Sequence, residues 1–379
     1  ERAMLLLSDI PGITAQSALE QGDEPGSTDL LLEINEAKRI NVQIDADNYG
    51  SPNAGRYRMG ASLRVNSPLE YGDNLDLRVL RTSGGGLDFA RVGYELPVGS
   101  NGVRAGIGVG RLRYELGAEF AVLDATGTAD VFNLVLTHPL IRSRGRNLFG
   151  KLTFEHKSLE DKIELVSLTS NKNTRSFGVG LTYEQRDGFF GSGYSGASLT
   201  LYSGNLDIEN ADARALDQAS DGRKTEGSFM KLGYQFSRMQ NLSQRSNLFI
   251  SLNGQATRKN LDSAEKISLG GAQAVRAYAA SEVVADEGEI LVLEYRYSFL
   301  PAFTVSGFYD AGWARVNHKP LPEDVENNRS LRGYGVGVVW IPGAGFSINA
   351  SLAWRDTAQS RVTDEERDPR LYVYAVKTF

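Results

Sequence analysis

Tyr57-Arg-Met-Gly-Ala-Ser-Leu-Arg-Val65 decides the fold: Tyr57, Met59, Ala61, Leu63 and Val65 alternate with Arg58, Gly60, Ser62 and Arg64. A period of two puts the apolar set on one face of a strand and the polar or small set on the other. The same alternation runs through Ile40-Asn-Val-Gln-Ile-Asp45 and Phe177-Gly-Val-Gly-Leu-Thr-Tyr183. Working outward from residue 57, about sixteen such segments of roughly ten residues fill the chain from Lys38 to Phe379. One greasy face and one wet face, repeated that often, describe a sheet closed into a transmembrane barrel.

The connections carry a second signal. Short ones (Ser67–Gly72, Pro97–Gly102, Arg186–Gly191, Pro301, Pro342–Gly343) alternate with long ones, namely Leu116–Gly127, Leu159–Lys172, Asn205–Thr225, Arg258–Glu287, Asn317–Ser330 and Asp356–Pro369. Outer-membrane barrels have short periplasmic turns and longer outside loops, so the long loops are expected outside and both chain ends in the periplasm. A water-soluble sandwich has no reason to alternate its loops in this way. Aromatics at Tyr57, Tyr94, Phe132, Phe154, Tyr295, Tyr297, Tyr334 and Trp340 fall on the apolar set, as an interfacial girdle requires. Arg39, Asp45, Arg58, Arg64, Asp76, Arg78, Glu294 and Arg296 fall on the other set, which therefore belongs to a water-filled lumen. Closure is expected by pairing of the strand near Lys38 with the one ending at Phe379, so that no edge is left in lipid.

Composition is consistent with this reading. The chain has 379 residues, of which 41% are hydrophobic and 41 are glycine. Its mean hydropathy is −0.30, and no run approaches the ~20 apolar residues of a membrane-spanning helix. A net charge of −6 with mixed signs gives no nucleic-acid footprint, and the absence of cysteine excludes disulfides and thiolate metal sites. Residue 1 is not methionine and no secretory leader is recognisable, so a processed or truncated start is expected. The first 36 residues read differently: a helix ending before Pro11-Gly12, then strands near Ile13–Leu19 and Thr28–Ile34 around a turn at Gln21–Ser27. That is too little to bury a core, and the segment reads as the end of a small α/β domain.

Gly106-Ile-Gly-Val-Gly110 and Gly333-Tyr-Gly-Val-Gly337 have glycine spacing reminiscent of nucleotide loops but lack the following helix and the acidic residue. Alternation instead puts Gly106, Gly108, Gly110, Gly178, Gly180, Gly333, Gly335 and Gly337 on the lumen face, leaving room for something packed inside. His138 and His156 fall on the lipid-facing set near strand ends, and His318 in a loop, so no histidine is placed for catalysis. No cofactor is implied. The long connection Arg258–Glu287 contains Leu269-Gly-Gly271 and Val275-Arg-Ala-Tyr278, and the strand after the next holds Phe308-Tyr-Asp-Ala-Gly312. Phe308, Asp310 and Gly312 share the lumen face, and Arg276 lies on a loop long enough to fold inward and pair with Asp310.

On these residues the chain resembles the two-partner secretion family of outer-membrane transporters, the haemolysin and filamentous haemagglutinin secretion/activation proteins. Gly270, Gly271 and Val275-Arg276-Ala277-Tyr278 are similar to the family's inward-folded sixth loop, whose tip reads Val-Arg-Gly-Tyr/Phe. Phe308, Asp310 and Gly312 match the strand motif that receives the tip arginine, and Glu1–Ile34 is similar to the end of the second POTRA domain. Ala277 stands where the family usually has glycine; if the tip needs φ > 0, alanine is strained there. The resemblance implies a POTRA fragment at 1–36 and a sixteen-stranded antiparallel transmembrane β-barrel at 37–379, with the plug helix and earlier POTRA segments of the family preceding it. It also implies a bacterial outer-membrane monomer, inserted into lipid by the barrel-assembly machinery. Such a protein exports an unfolded exoprotein (an adhesin, haemolysin or contact-dependent toxin) recognised through the cargo's N-terminal secretion domain. Two rival readings are a passive porin, with an open lumen and no inward lock, and the barrel of a single-chain autotransporter with a lipase-like passenger.

Overall fold

The computed structural model describes residues 1–21, 27–322, 326–356 and 367–379. The expected turn at 21–27 falls largely outside them, as do parts of the connections 317–330 and 356–369. A helix α1 (Arg2–Ser8) leads into β1 (Ile13–Gln21) and β2 (Thr28–Glu36), which pair antiparallel as a separate two-stranded sheet. Helix α1 rests on the barrel's short turns. Arg142 grips Asp9 through two 2.8 Å hydrogen bonds, and Arg2 donates to the Pro139 carbonyl at 2.7 Å. Gly72 and Gly102 sit where Ile10 and Leu6 press in, and both have positive φ (71° and 79°), so a side chain there is excluded twice.

The wall begins with β3 (Ile40–Asp47), β4 (Arg58–Asn66), β5 (Asn74–Thr82), β6 (Leu87–Val98) and β7 (Val103–Leu116). It continues with β8 (Ala125–Arg142), β9 (Arg146–Ile163), β10 (Leu168–Asp187), β11 (Ser192–Ile208), β12 (Gly227–Asn241) and β13 (Ser246–Thr257). A helix α2 (Ala211–Gln218) lies between β11 and β12. The short strands β14 (Ile267–Ser268) and β15 (Val284–Ala285) pair with each other in a two-stranded sheet separate from the wall. Last come β16 (Glu287–Leu300), β17 (Phe303–Arg315), β18 (Asn328–Gly343), β19 (Phe346–Arg355) and β20 (Arg370–Thr378). Among the described residues, sixteen antiparallel strands close into a barrel, with β20 pairing β3 from Tyr374–Asp47 to Thr378–Gln43. The expected closure is present.

Side-chain alternation on the membrane-spanning strands is inverted relative to a soluble protein, and β10 shows it most clearly. On β10, Phe177, Val179 and Leu181 are 65%, 62% and 49% exposed on the outside, while Thr174, Ser176, Gly178 and Gly180 are buried inside. Large apolar groups on the outer surface are stable only against lipid. Outward rings gather near the short turns, where Phe303 stacks on Trp340 with centroids 5.8 Å apart and Trp340 meets Phe346 at 6.4 Å. Register shifts at Pro139/Ile141, Ser298/Leu300 and Trp340/Gly343 all fall at this same end. Proline there costs no ladder bond, because a bulge already interrupts the pairing.

Three expectations are corrected. The connections read as long at Leu116–Gly127 and Leu159–Lys172 are shorter than expected: the second is mostly strand, and the first narrows to residues 117–124. β8, β9 and β10 run 18, 18 and 20 residues, well past the ~10 needed to span, and leave only short 3-10 turns at Ala118–Leu123 and Glu164–Val166. Beyond the membrane both faces meet water, so the apolar half of the alternation disappears while backbone pairing continues. For the same reason His156 is not near a strand end but seven residues short of one. The connection Asn205–Thr225 holds α2, whose eight residues are too few for a clear periodic signal.

Candidate functional site

The 29-residue segment between β13 and β16 (258–286) turns inward and fills part of the lumen. Its Leu269, Val275, Ala277, Tyr278, Val283 and Ala285 pack in one buried cluster with Ile290, Phe308, Leu331 and Ala353 of the wall. The loop is held in shape by its own backbone. Leu269 N–H donates to the Val283 carbonyl and Val275 N–H to the Leu269 carbonyl, both at 2.9 Å. Gly270 bridges to Val275, and a Cβ at Gly270 would collide with the Ala279 carbonyl; Gly271 has φ 113°. The Gly-Gly pair is thus required by a tight reversal that presents Val275–Tyr278 as the tip.

Arg276 is the centre of the contact. Its Nε donates to Asp310 Oδ2 and its Nη2 to Asp310 Oδ1, both at 2.8 Å, and its backbone N–H adds a third bond at 3.0 Å. Its remaining Nη1 donates to Glu294 Oε2 at 2.8 Å, and Arg296 holds the other Glu294 oxygen at 2.8 Å. The guanidinium carbon lies 3.3 Å from the centroid of the Phe308 ring, in cation–π contact. Asp310 is 1% exposed and Arg276 13%. A planar fork with fixed donors is the group that can satisfy two carboxylates and a ring face together; a lysine cannot.

The strand motif works through its period. Phe308, Asp310 and Gly312 project to the same face, where the ring carries the guanidinium, the carboxylate receives it, and Gly312 faces Leu269 and Val275 at 3.1 Å each from a would-be Cβ. One strand on, Gly335 leaves room for the Phe308 ring and Gly333 for Ala277. Ala277 does not have positive φ, so the alanine at the tip is unstrained. Gly333 and Gly312 thus make room for the loop itself, whereas Gly106, Gly108, Gly110, Gly178, Gly180 and Gly337 face side chains or backbone of the wall rather than the loop, so the expected row of space-making glycines is confined to this corner. Beside the tip, Tyr372 donates to the Tyr278 carbonyl at 2.8 Å, and Arg355 lies over the Tyr278 ring at 5.3 Å.

The structure adds residues that sequence reasoning missed. Glu294 was read only as a lumen charge, although its register partner is Phe308, which places it beside Asp310. The outer part of the loop is gripped by β9, β10 and β12. Lys157 of β9 and Lys231 of β12 both reach Glu265 at 2.8 Å, and Lys172 of β10 joins Asp262 at 2.9 Å and Asp161 at 3.0 Å. Glu265 is 3% exposed. At the loop's end, buried Asp286 accepts from Leu261 N–H, His318 N–H and the Lys266 ammonium. Only the lumen-face placement of Lys157, Lys172 and Lys231 was available from alternation. The wall from β3 to β5 is charged: Arg58 pairs with Asp47, Arg78 with Asp45, and Arg64 with Asp76. The last pair is half-exposed to lumen water.

The family model and the curated relative point to one family. The family model described as haemolysin secretion/activation protein ShlB/FhaC/HecB matches residues 26–339. Heme/hemopexin transporter protein HuxB of Haemophilus influenzae (strain 86-028NP) is 30% identical over 363 residues, covering 93% of this chain and 63% of its own length. The chain therefore spans somewhat under two thirds of that curated relative. Among solved structures, CdiB from Escherichia coli superposes with a TM-score of 0.79 at 19% identity, over 99% of this chain and 69% of that one. CdiB from Acinetobacter baumannii gives 0.74 at 16%, over 99% and 67%. At those identities the structures speak for the fold, while the family model and HuxB speak for descent. The chain belongs to the haemolysin secretion/activation protein family, the outer-membrane β-barrel transporters of two-partner secretion.

Proposed function

We propose that this chain is the translocation unit that carries an unfolded partner exoprotein from periplasm to cell surface. The reading is carried by the Arg276–Asp310–Glu294 lock, which holds a 29-residue loop inside the lumen. A diffusion pore gains nothing from a loop tied into its channel by buried ion pairs, so the porin alternative is disfavoured. In this reading the loop sits against β16–β19, and the cargo passes along the charged, hydrated wall of β3–β7. Ionic side chains facing water offer an extended polypeptide hydrogen bonds without a greasy surface on which to stick. The two-stranded piece at 1–36 is the end of a periplasmic POTRA domain. The short turns and both ends of the chain are periplasmic, and the strand extensions of β8–β11 and the loops lie outside. POTRA strands would capture the cargo's N-terminal secretion domain by adding a strand to a sheet edge. The protein acts as a monomer after insertion by the barrel-assembly machinery, uses no cofactor and catalyses no reaction. Because HuxB is a heme/hemopexin transporter, a cargo connected with heme or hemopexin is the one to test first.

The test is Arg276→Ala in the full-length protein co-expressed with its cargo. Asp310 is then left buried without its cation, while Glu294 keeps only Arg296, a loss of roughly 3–5 kcal/mol in loop docking. Export should fail or fall sharply, channel conductance in planar bilayers should change, and the barrel should still migrate as a folded, heat-modifiable species. Full export by a folded Arg276→Ala protein would overturn the role of the lock.

A further inference from the structure

We propose that the lipid-facing surface of β4–β7 at the loop end of the barrel is a binding site for a phosphorylated glycolipid of the outer leaflet. This rests on the orientation given above, in which that end lies outside. One rung of the sheet runs in register through Ile44, Ala61, Val79, Ala90 and Arg111, all on the outer face. The rung above it runs through Met59, Arg81, Asp88 and Arg113. Small alanines on either side of Val79 recess the wall, while Met59 stands out beside them, 67% exposed. These residues line an open groove of about 500 Å³. Towards the membrane centre the same face continues as Leu77, Val92 and Val109, which suits an acyl chain.

The charge above the groove is the second observation. Three arginines face two carboxylates, Asp88 and Asp130. Arg111 spends its Nε and Nη2 on Asp130, and Arg81 reaches Asp88 only loosely, at 3.4 Å. Arg113 makes no hydrogen bond or ion pair among the described residues. Arg81 and Arg113 lie two strands apart, a gap of about 10 Å that a sugar head group carrying phosphate can span. Guanidinium forks match phosphate oxygens, and basic groups at the boundary of an apolar band attract anionic head groups. A zwitterionic phospholipid brings its own ammonium, a further cation beside three arginines that share two carboxylates. Free phosphate or nucleic acid would leave the apolar trough below unfilled.

The test titrates the full chain, delipidated in detergent, with diphosphorylated hexa-acyl lipid A, its dephosphorylated form and phosphatidylglycerol, counting bound lipid by native mass spectrometry. Lipid A should be retained, with the dephosphorylated form and the double variant R81Q/R113Q each weaker by about tenfold or more. Val79→Trp, which fills the trough with an apolar ring that lipid tolerates, should also lose retention while the barrel stays heat-modifiable. Equal retention of the dephosphorylated form, or by R81Q/R113Q, would overturn the site; phosphatidylglycerol binding as tightly as lipid A would overturn the glycolipid assignment. Orientation is read separately, since the chain has no cysteine. Asp221→Cys should label from outside intact cells with an impermeant maleimide. A protected Cys with lipid retention intact would sink the orientation, and with it the outer-leaflet assignment, without touching the affinity for phosphorylated lipid.

Discussion

At the scale of single residues, the lumen face divides into positions that must be empty and positions that must be charged. Gly333 is of the first kind. A Cβ there would meet the Ala277 side chain and the Trp354 carbonyl, whereas one at Gly307, on the outward face, would meet nothing within 4 Å. Gly333→Ala should therefore push the loop tip off the wall and change channel conductance, while Gly307→Ala should leave conductance at the wild-type value. A matching response of the two variants in planar bilayers would mean that the tip does not depend on that contact. Arg276 is of the second kind. Arg276→Lys keeps the charge but cannot serve Asp310 twice and Glu294 once, so its export should fall between wild type and Arg276→Ala. The pairing of Arg276 with Asp310 was legible because Val275–Tyr278 and the Phe308-Asp310-Gly312 row resemble the family's paired motifs; the length of the loop and the shared face by themselves only allowed it. The part taken by Glu294 was not, since it needs the register between β16 and β17.

At the scale of elements, the outward and inward faces of one strand obey different rules. On β16, Leu293 points to lipid and Arg296, on the other face, into the lumen beside Glu294. Leu293→Arg should destabilise the barrel by roughly 2–4 kcal/mol if it lies near the membrane midplane. Arg296→Leu should still give a folded barrel, and urea unfolding followed by gel mobility separates the two cases. Outside the membrane, α2 is tied to the start of β12 through Asp217, which accepts from the Thr225 amide and hydroxyl and from the Glu226 amide. Burial pushes that carboxyl up, but the hydrogen bonds outweigh it and hold it below the ordinary aspartate range. Its unfolded-state value is then the higher one, so its contribution is complete above about pH 4 and drains away as pH falls through the lower folded value. Hydrogen exchange at Thr225 and Glu226 should accelerate on acidification over that interval relative to the chemical rate, and Asp217→Asn should remove the dependence. Helix α2 itself was not visible in the sequence, because a single eight-residue amphipathic turn has no pattern to set against sixteen strands.

At the scale of the whole molecule, the loop is held at two places: the tip on β16–β19 and the outer part on β9, β10 and β12 through Glu265 and Asp262. Glu265→Ala strands Lys157 and Lys231 without their buried partner, so it should loosen the loop even though the tip lock is intact. The expected reading is noisier single-channel conductance with export reduced less than in Arg276→Ala. Conductance indistinguishable from wild type would leave the outer grip with no part in holding the loop. What the sequence determined by itself was the closed barrel, its strand number, the lipid and lumen faces, and the identity of the loop that matters. The faces are local, because a period of two assigns each side chain to a face without knowledge of any other strand; the loop was singled out by the resemblance of Val275–Tyr278 to the family's tip motif. Only the tertiary structure decided how far β8–β10 continue past the membrane, that Glu294 shares Arg276, and that three lysines reach across to the loop. Those depend on the stagger of neighbouring strands and on the diameter they enclose, which set the distances between groups far apart along the chain.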